Sequence, residues 1–212
     1  GEDLTSGLNN TSLGAFAGRC TTTGCYNVAI GNNSLQLNTT GCQNVAIGQG
    51  ALNLNTGSGN IAIGKCTLRC ATTAGNNIGI GTCALLGTVT GSYNIIMGRF
   101  AGVGMTCGTF NVGVGDQSLR CNTEGLCNNG GVYNTAVGAH SMMNNTTGDN
   151  NTAIGGINAL LSNTEGHRNV AVGTETLRSN TTASCNTAVG NTSMFCNTTG
   201  CLNTAVGQSS LL

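Results

Sequence analysis

A five-residue phrase returns along this chain at nearly constant spacing. Asn27-Val28-Ala29-Ile30-Gly31 is followed by Asn44-Val45-Ala46-Ile47-Gly48, and later by Asn134-Thr135-Ala136-Val137-Gly138, Asn186-Thr187-Ala188-Val189-Gly190 and Asn203-Thr204-Ala205-Val206-Gly207. The opening asparagines stand at 10, 27, 44, 60, 77, 94, 111, 134, 151, 169, 186 and 203. The period is therefore 17 residues, with steps of 16 before Asn60, 23 before Asn134 and 18 before Asn169. A unit this short buries no core of its own, so successive units must stack. The expected fold is all-β: a single-chain parallel β-solenoid (β-roll) of about 12 rungs, with residues 1–212 forming one domain.

Numbered from its asparagine, the rung reads Asn, Thr/Val/Ile, Ala, Ile/Val, Gly, two variable residues, Ser/Ala, Leu, two variable residues, Asn, Thr, Thr, Gly and two more. Positions 2 to 4 are β-branched and alternate, as a short strand does. Position 4 (Ile30, Ile47, Ile63, Ile80, Val114, Val137, Ile154) is expected to point inward and to meet the position 9 leucines (Leu35, Leu52, Leu68, Leu85, Leu119, Leu177, Leu211) from a second strand. The position 5 glycine suits a corner with unusual backbone angles. Thr-Thr-Gly at positions 13 to 15 marks a second turn. Stacking aligns identical residues into columns, so Asn27, Asn44, Asn60, Asn77, Asn94, Asn111, Asn134, Asn151, Asn169, Asn186 and Asn203 should form an amide ladder. Position 12 gives a broken second column: Asn38, Asn55, Asn122, Asn145, Asn180 and Asn197.

The chain has 35 glycines, no proline, no tryptophan and 7% charged residues that cancel formally. No basic stripe favours nucleic acid. No apolar run reaches the roughly 20 residues of a membrane span. Twelve cysteines suggest disulfides and an oxidising compartment. Cys20 with Cys25, Cys121 with Cys127, and Cys196 with Cys201 flank turns, whereas Cys66 and Cys83 share position 7 of adjacent rungs. Cys25 also shares position 16 with Cys42. The sequons at Asn38, Asn145, Asn180 and Asn197 are candidate glycosylation sites. Zinc-type Cys-x2-Cys spacing is absent. His140 and His167 read as surface residues and the acids form no column. No enzyme, metal or cofactor is expected.

The Asn-x-Ala-Ile/Val-Gly phrase resembles the coil motif in head domains of trimeric autotransporter adhesins. The longer Asn-Thr-Ala-Val-Gly…Asn-Thr-Thr-Gly unit is similar to repeats in phage and giant-virus fibre proteins. The resemblance covers nearly the whole chain. It implies a parallel β-roll, an extracellular fibre or adhesin, and a homotrimer as one mode of association.

The last rung runs from Asn203 to Leu212, positions 1 to 10. Thr5-Ser6-Gly7 falls on positions 13 to 15 of the rung before Asn10. Two molecules end to end would complete approximately one coil, so the expected partner is a second copy in a head-to-tail extracellular filament. Its interface would use Leu4, Thr5, Ser6, Gly7, Asn10, Asn203, Val206, Leu211 and Leu212. The first residue, Gly1, equally fits a processed chain or a segment of a longer array, which the intact mass would separate. An adhesin with a surface or glycan receptor, using the insertion at 121–133, is the alternative function. An ice-binding solenoid is a third, although Thr88-Val89-Thr90 and Thr174-Glu175-Thr176 stand isolated.

Overall fold

A computed structural model describes residues 5–88, 90–120 and 131–212. Leu4, Val89, Asn122, Cys121, Cys127 and most of the 121–133 insertion lie outside the described residues. The chain winds as a parallel β-solenoid with one strand per coil. The strands are β1 (Thr11–Leu13), β2 (Val28–Ile30), β3 (Val45–Ile47), β4 (Ile61–Ile63), β5 (Ile78–Ile80), β6 (Ile95–Met97), β7 (Val112–Val114), β8 (Thr135–Ala139), β9 (Thr152–Ile157), β10 (Val170–Val172), β11 (Thr187–Val189) and β12 (Thr204–Val206). They form a single sheet in chain order, with like positions paired: Val28 lies beside Val45, and Ala29 beside Ala46. No helix occurs among the described residues.

The alternation runs opposite to the sequence-based expectation. The buried strand residue is the position 3 alanine: Ala46, Ala62, Ala136 and Ala153 are wholly enclosed. Position 4 faces outward. Ile47, Ile63 and Ile154 are more than a third exposed, and Ile30, Ile80, Val114 and Val137 are half-buried. The position 9 leucines explain the inversion. Leu35, Leu52, Leu68, Leu85, Leu119 and Leu177 fill the interior from the opposite wall, and that coil is narrow enough to admit only a methyl group across from each. Leu211 is 62% exposed, since no described coil stacks on its outer side.

The opposite wall is also not a second strand. Positions 7 and 9 take left-handed backbone, as at Asn33 (φ 57°) and Leu35 (φ 46°), and position 17 does so again at Gln43 (φ 60°). Left-handed conformation costs a side-chain-bearing residue roughly 1–2 kcal/mol. Hydrogen bonds between coils hold it: Asn33 N–H donates to Ala15 O at 2.9 Å and Leu35 N–H to Ala51 O at 2.9 Å. Position 5 demands glycine for a second reason. Gly31 sits at φ 124°, and a Cβ there would lie 2.8 Å from the Gly48 carbonyl. The corners of successive coils stack backbone on backbone.

One coil departs from the plan and compensates internally. The coil beginning at Asn94 has Gly102 where leucine belongs, and Ile96 and Met105 fill the space from positions 3 and 12. A Cβ on Gly102 would meet Ile96 Cγ2 and Met105 Sδ, each at 3.2 Å. Ile96 in turn needs room above and below. Position 3 of the flanking coils is Gly79 and Gly113, and a Cβ on Gly113 would come within 2.9 Å of Ile96 Cδ1. Ile96→Ala alone should cost about 2–4 kcal/mol through the cavity it leaves. Gly102→Leu alone should destabilise by about 1–3 kcal/mol through overpacking. The double variant restores the common pattern and should be more stable than either single one, as read by urea denaturation.

Candidate functional site: ladders and end faces

Asparagine at position 1 carries a continuous hydrogen-bond column. Asn27 N–H donates to Asn10 Oδ1 at 2.9 Å, and its Nδ2 donates to the same oxygen at 3.1 Å and to Gly41 O at 2.8 Å. The backbone link repeats at every step to Asn203 N–H, which donates to Asn186 Oδ1 at 3.0 Å. It crosses the long insertion unbroken, with Asn134 N–H on Asn111 Oδ1 at 3.0 Å. The amide from Asn111 reaches Gly131 O at 3.0 Å, so the insertion is absorbed before position 15. Only a short side chain with both a donor and an acceptor fits this role.

The second column is continuous from Asn145 to Asn197. Asn163 Nδ2 donates to Asn145 Oδ1, Asn180 to Asn163 and Asn197 to Asn180, at 2.7, 2.9 and 3.1 Å. Asn163 was missed in the sequence because Asn-Thr-Glu replaces Asn-Thr-Thr there. The one-residue deletion in the next coil interrupts the column lower down. Asn55 turns its Nδ2 to Gly57 O, and Asn38 Oδ1 is left buried without a donor. Asn38, Asn145 and Asn180 are buried, and each gives Nδ2 to a backbone carbonyl: Gly41, Gly148 or Ala183. Half-buried Asn197 does the same to Gly200. Folded coils have no room for a glycan on the three buried amides, which corrects the glycosylation reading at those positions.

The proposed disulfides are likewise replaced by column chemistry. Cys25, Cys66, Cys83, Cys196 and Cys201 are free thiols, so the pairs Cys20–Cys25, Cys66–Cys83 and Cys196–Cys201 are not formed. At position 16 the side chain accepts the backbone N–H of the coil before it. Cys25 Sγ takes Leu8 N–H at 3.4 Å, Cys42 Sγ takes Cys25 N–H at 3.2 Å and Cys201 Sγ takes Ser184 N–H at 3.3 Å. Ser58, Ser92, Ser184, Asp149 and His167 do the same. The thiol therefore stands in for a hydroxyl. At position 7, burial first and the neighbouring Cys66 second push the Cys83 thiol above its ordinary pKa, which disfavours the reactive thiolate.

The outer surface carries further columns. Thr22 Oγ1 donates to Thr39 O at 3.0 Å and Thr181 Oγ1 to Thr198 O at 3.3 Å. Tyr93, Phe110 and Tyr133, all at position 17, stack with centroids 5.0 and 5.2 Å apart. Their shared position in the period was the available signal. Arg99 grips Asp116 of the next coil through two bonds of 3.0 and 3.2 Å. His140 lies on the position 7 column, and His167 sits 3.7 Å from Asp149. Among the described residues no group of three or more His, Cys, Asp or Glu side chains gathers to hold a metal ion.

The described residues nearest each end carry different parts of this pattern. At one end Thr5, Ser6 and Gly7 all donate their N–H groups to Thr22 O at 3.1 Å. Asn10 is held by its Nδ2 on Gly24 O at 2.7 Å. At the other end Asn203, Leu211 and Leu212 join Met194, Cys196 and Asn197 around a hollow of about 240 Å³. Val206 belongs instead to the outer side of its strand, at position 4.

Asn77→Ala should remove the acceptor for Asn94 N–H and cost about 1–3 kcal/mol in chemical denaturation. Asn77→Asp should cost more at neutral pH, since a buried carboxylate would face Asn60 Oδ1 and Gly91 O. Its folded pKa would rise above the ordinary value of about 3.9. The penalty is then full above that raised pKa and relieved as pH falls below it. Cys42→Ser should melt within a few degrees of the parent, whereas Cys42→Ala, which leaves Cys25 N–H without its acceptor, should lose about 1 kcal/mol. No known protein family matches this chain, and no curated protein or solved structure matches it either.

Proposed function

We propose that this chain is a structural subunit of an extracellular fibre, built by stacking copies head to tail so that the coils continue across each junction. The carrying observation is the fit between Asn203 and the opposite end. Within the solenoid each position 1 amide gives Nδ2 to the position 15 carbonyl of its own coil, and its Oδ1 receives the next asparagine's N–H. Among the described residues Asn203 Nδ2 and Oδ1 have neither partner. Gly7, at position 15, and Asn10, at position 1, carry the missing carbonyl and N–H on the other end face. A second copy seated there would continue the sheet, the amide column and the leucine interior. This heterologous contact propagates as a filament.

Supporting this reading, the conspicuous repeated residues are occupied by holding coil to coil. The cysteines follow the same logic, so extracellular placement rests on the resemblance to adhesin and fibre repeats and not on disulfides. No observation favours a receptor site on one rung.

Electron microscopy of the purified chain at about 10 µM should show threads with an axial repeat of about 58 Å, the height of 12 coils at the strand spacing. Asn203→Asp places an acceptor against the Gly7 carbonyl. It should abolish the threads while leaving the melting temperature of the subunit unchanged. A wild-type chain that stays monomeric across that concentration range would overturn the proposal.

A further inference from the structure

The inverted strand alternation leaves an unusual surface. Every coil turns positions 2 and 4 outward, and these form two parallel columns along the whole sheet. Column 4 is Leu13, Ile30, Ile47, Ile63, Ile80, Met97, then Val114, Val137, Ile154, Val172, Val189 and Val206: all apolar. Column 2 is valine or isoleucine from Val28 to Val112 and at Val170, and threonine elsewhere. No charged residue occurs at either position in any coil, whereas the described arginines, the one lysine and the acids stand at positions 6, 7, 10, 14, 16 and 17. Ile95 is 41% exposed and Met97 39%. A continuous apolar patch of this kind marks an interaction surface.

We infer that this face is covered by the same face of a second copy of this chain, lying alongside it. This lateral contact is additional to the end-to-end contact proposed above and uses none of its residues except Val206. The area is sufficient. Twelve strands at about 4.8 Å make the face about 53 Å long, and two columns about 7 Å apart make it about 12 Å wide. Packing two such faces removes about 1,200 Å² from water in total, within the range of specific protein interfaces. The period selects the partner. Side chains spaced at the strand interval interdigitate along their full length only with a surface of the same interval, as in paired sheets with dry interfaces. Absence of charge disfavours an acidic or basic partner. With the two-fold axis along the solenoid both chains point the same way, so paired threads can grow together.

The test uses the end-blocked Asn203→Asp chain, so that lateral association is read alone. Sedimentation equilibrium should give twice the 21.2 kDa chain mass. Adding Ile47→Lys and Ile80→Lys, both on the outward column, should weaken association by at least about a hundredfold, since each lysine would be buried without a counter-charge. Circular dichroism melting of the variant should match that of the parent diluted until it too is monomeric, because neither side chain contributes to the interior. An Asn203→Asp chain that sediments as a monomer at about 100 µM overturns the lateral contact, whatever becomes of the threads. So does a dimer indifferent to the lysines, or a monomer whose exposed face instead slows ice growth in a thermal hysteresis assay.

Discussion

Every part of this solenoid depends on one requirement: each coil must lie one strand spacing from the next, with its backbone amides aimed along the axis. Three-residue strands are too short to enforce that alone. The position 1 asparagine enforces it by bonding in two directions at once, down the column to its neighbour and across its own coil to position 15. The glycine at position 5 makes the spacing sterically attainable, since any Cβ there would strike the carbonyl of the next corner. Left-handed leucines and the turns then follow, because their N–H groups find carbonyls only when neighbouring coils are in register.

The interior is correspondingly thin. Alanine, serine or alanine, one leucine and two asparagines line a typical coil, so apolar burial per residue is modest. Order comes to a large extent from hydrogen bonds that are individually weak and collectively periodic. This is the opposite balance from a globular core. It explains how a chain with few aromatics and 35 glycines holds a single conformation.

The architecture was legible from spacing alone, because a 17-residue period admits only superposed windings. Asparagine columns were legible for the same reason. The direction of the strand side chains was not. Val-Ala-Ile offers one small inward residue or two large ones, and the usual preference for burying the larger side chain pointed the wrong way. What decided it was the width left beside Leu35 and its equivalents, a tertiary quantity with no local signature. The cysteines misled because their count imitates a disulfide framework. Only the position 16 bonds show that Cys25, Cys42 and Cys201 act as Ser58 and Ser92 do. The phase of the period placed Asn203 at position 1 and Gly7 at position 15, while the unused amide of Asn203 needed coordinates.

Nearly identical windings create a hazard: a strand that pairs one winding too far along finds almost the same neighbours. The Gly79–Ile96–Gly113 triplet with Gly102 and Met105 is the place where that error is penalised. Stacked one winding out of place, this coil would bring Ile96 against a position 3 alanine such as Ala62 or Ala136 in place of Gly79 or Gly113. The irregular coil therefore serves as an address in the middle of the chain, giving an otherwise degenerate sequence one correct thread.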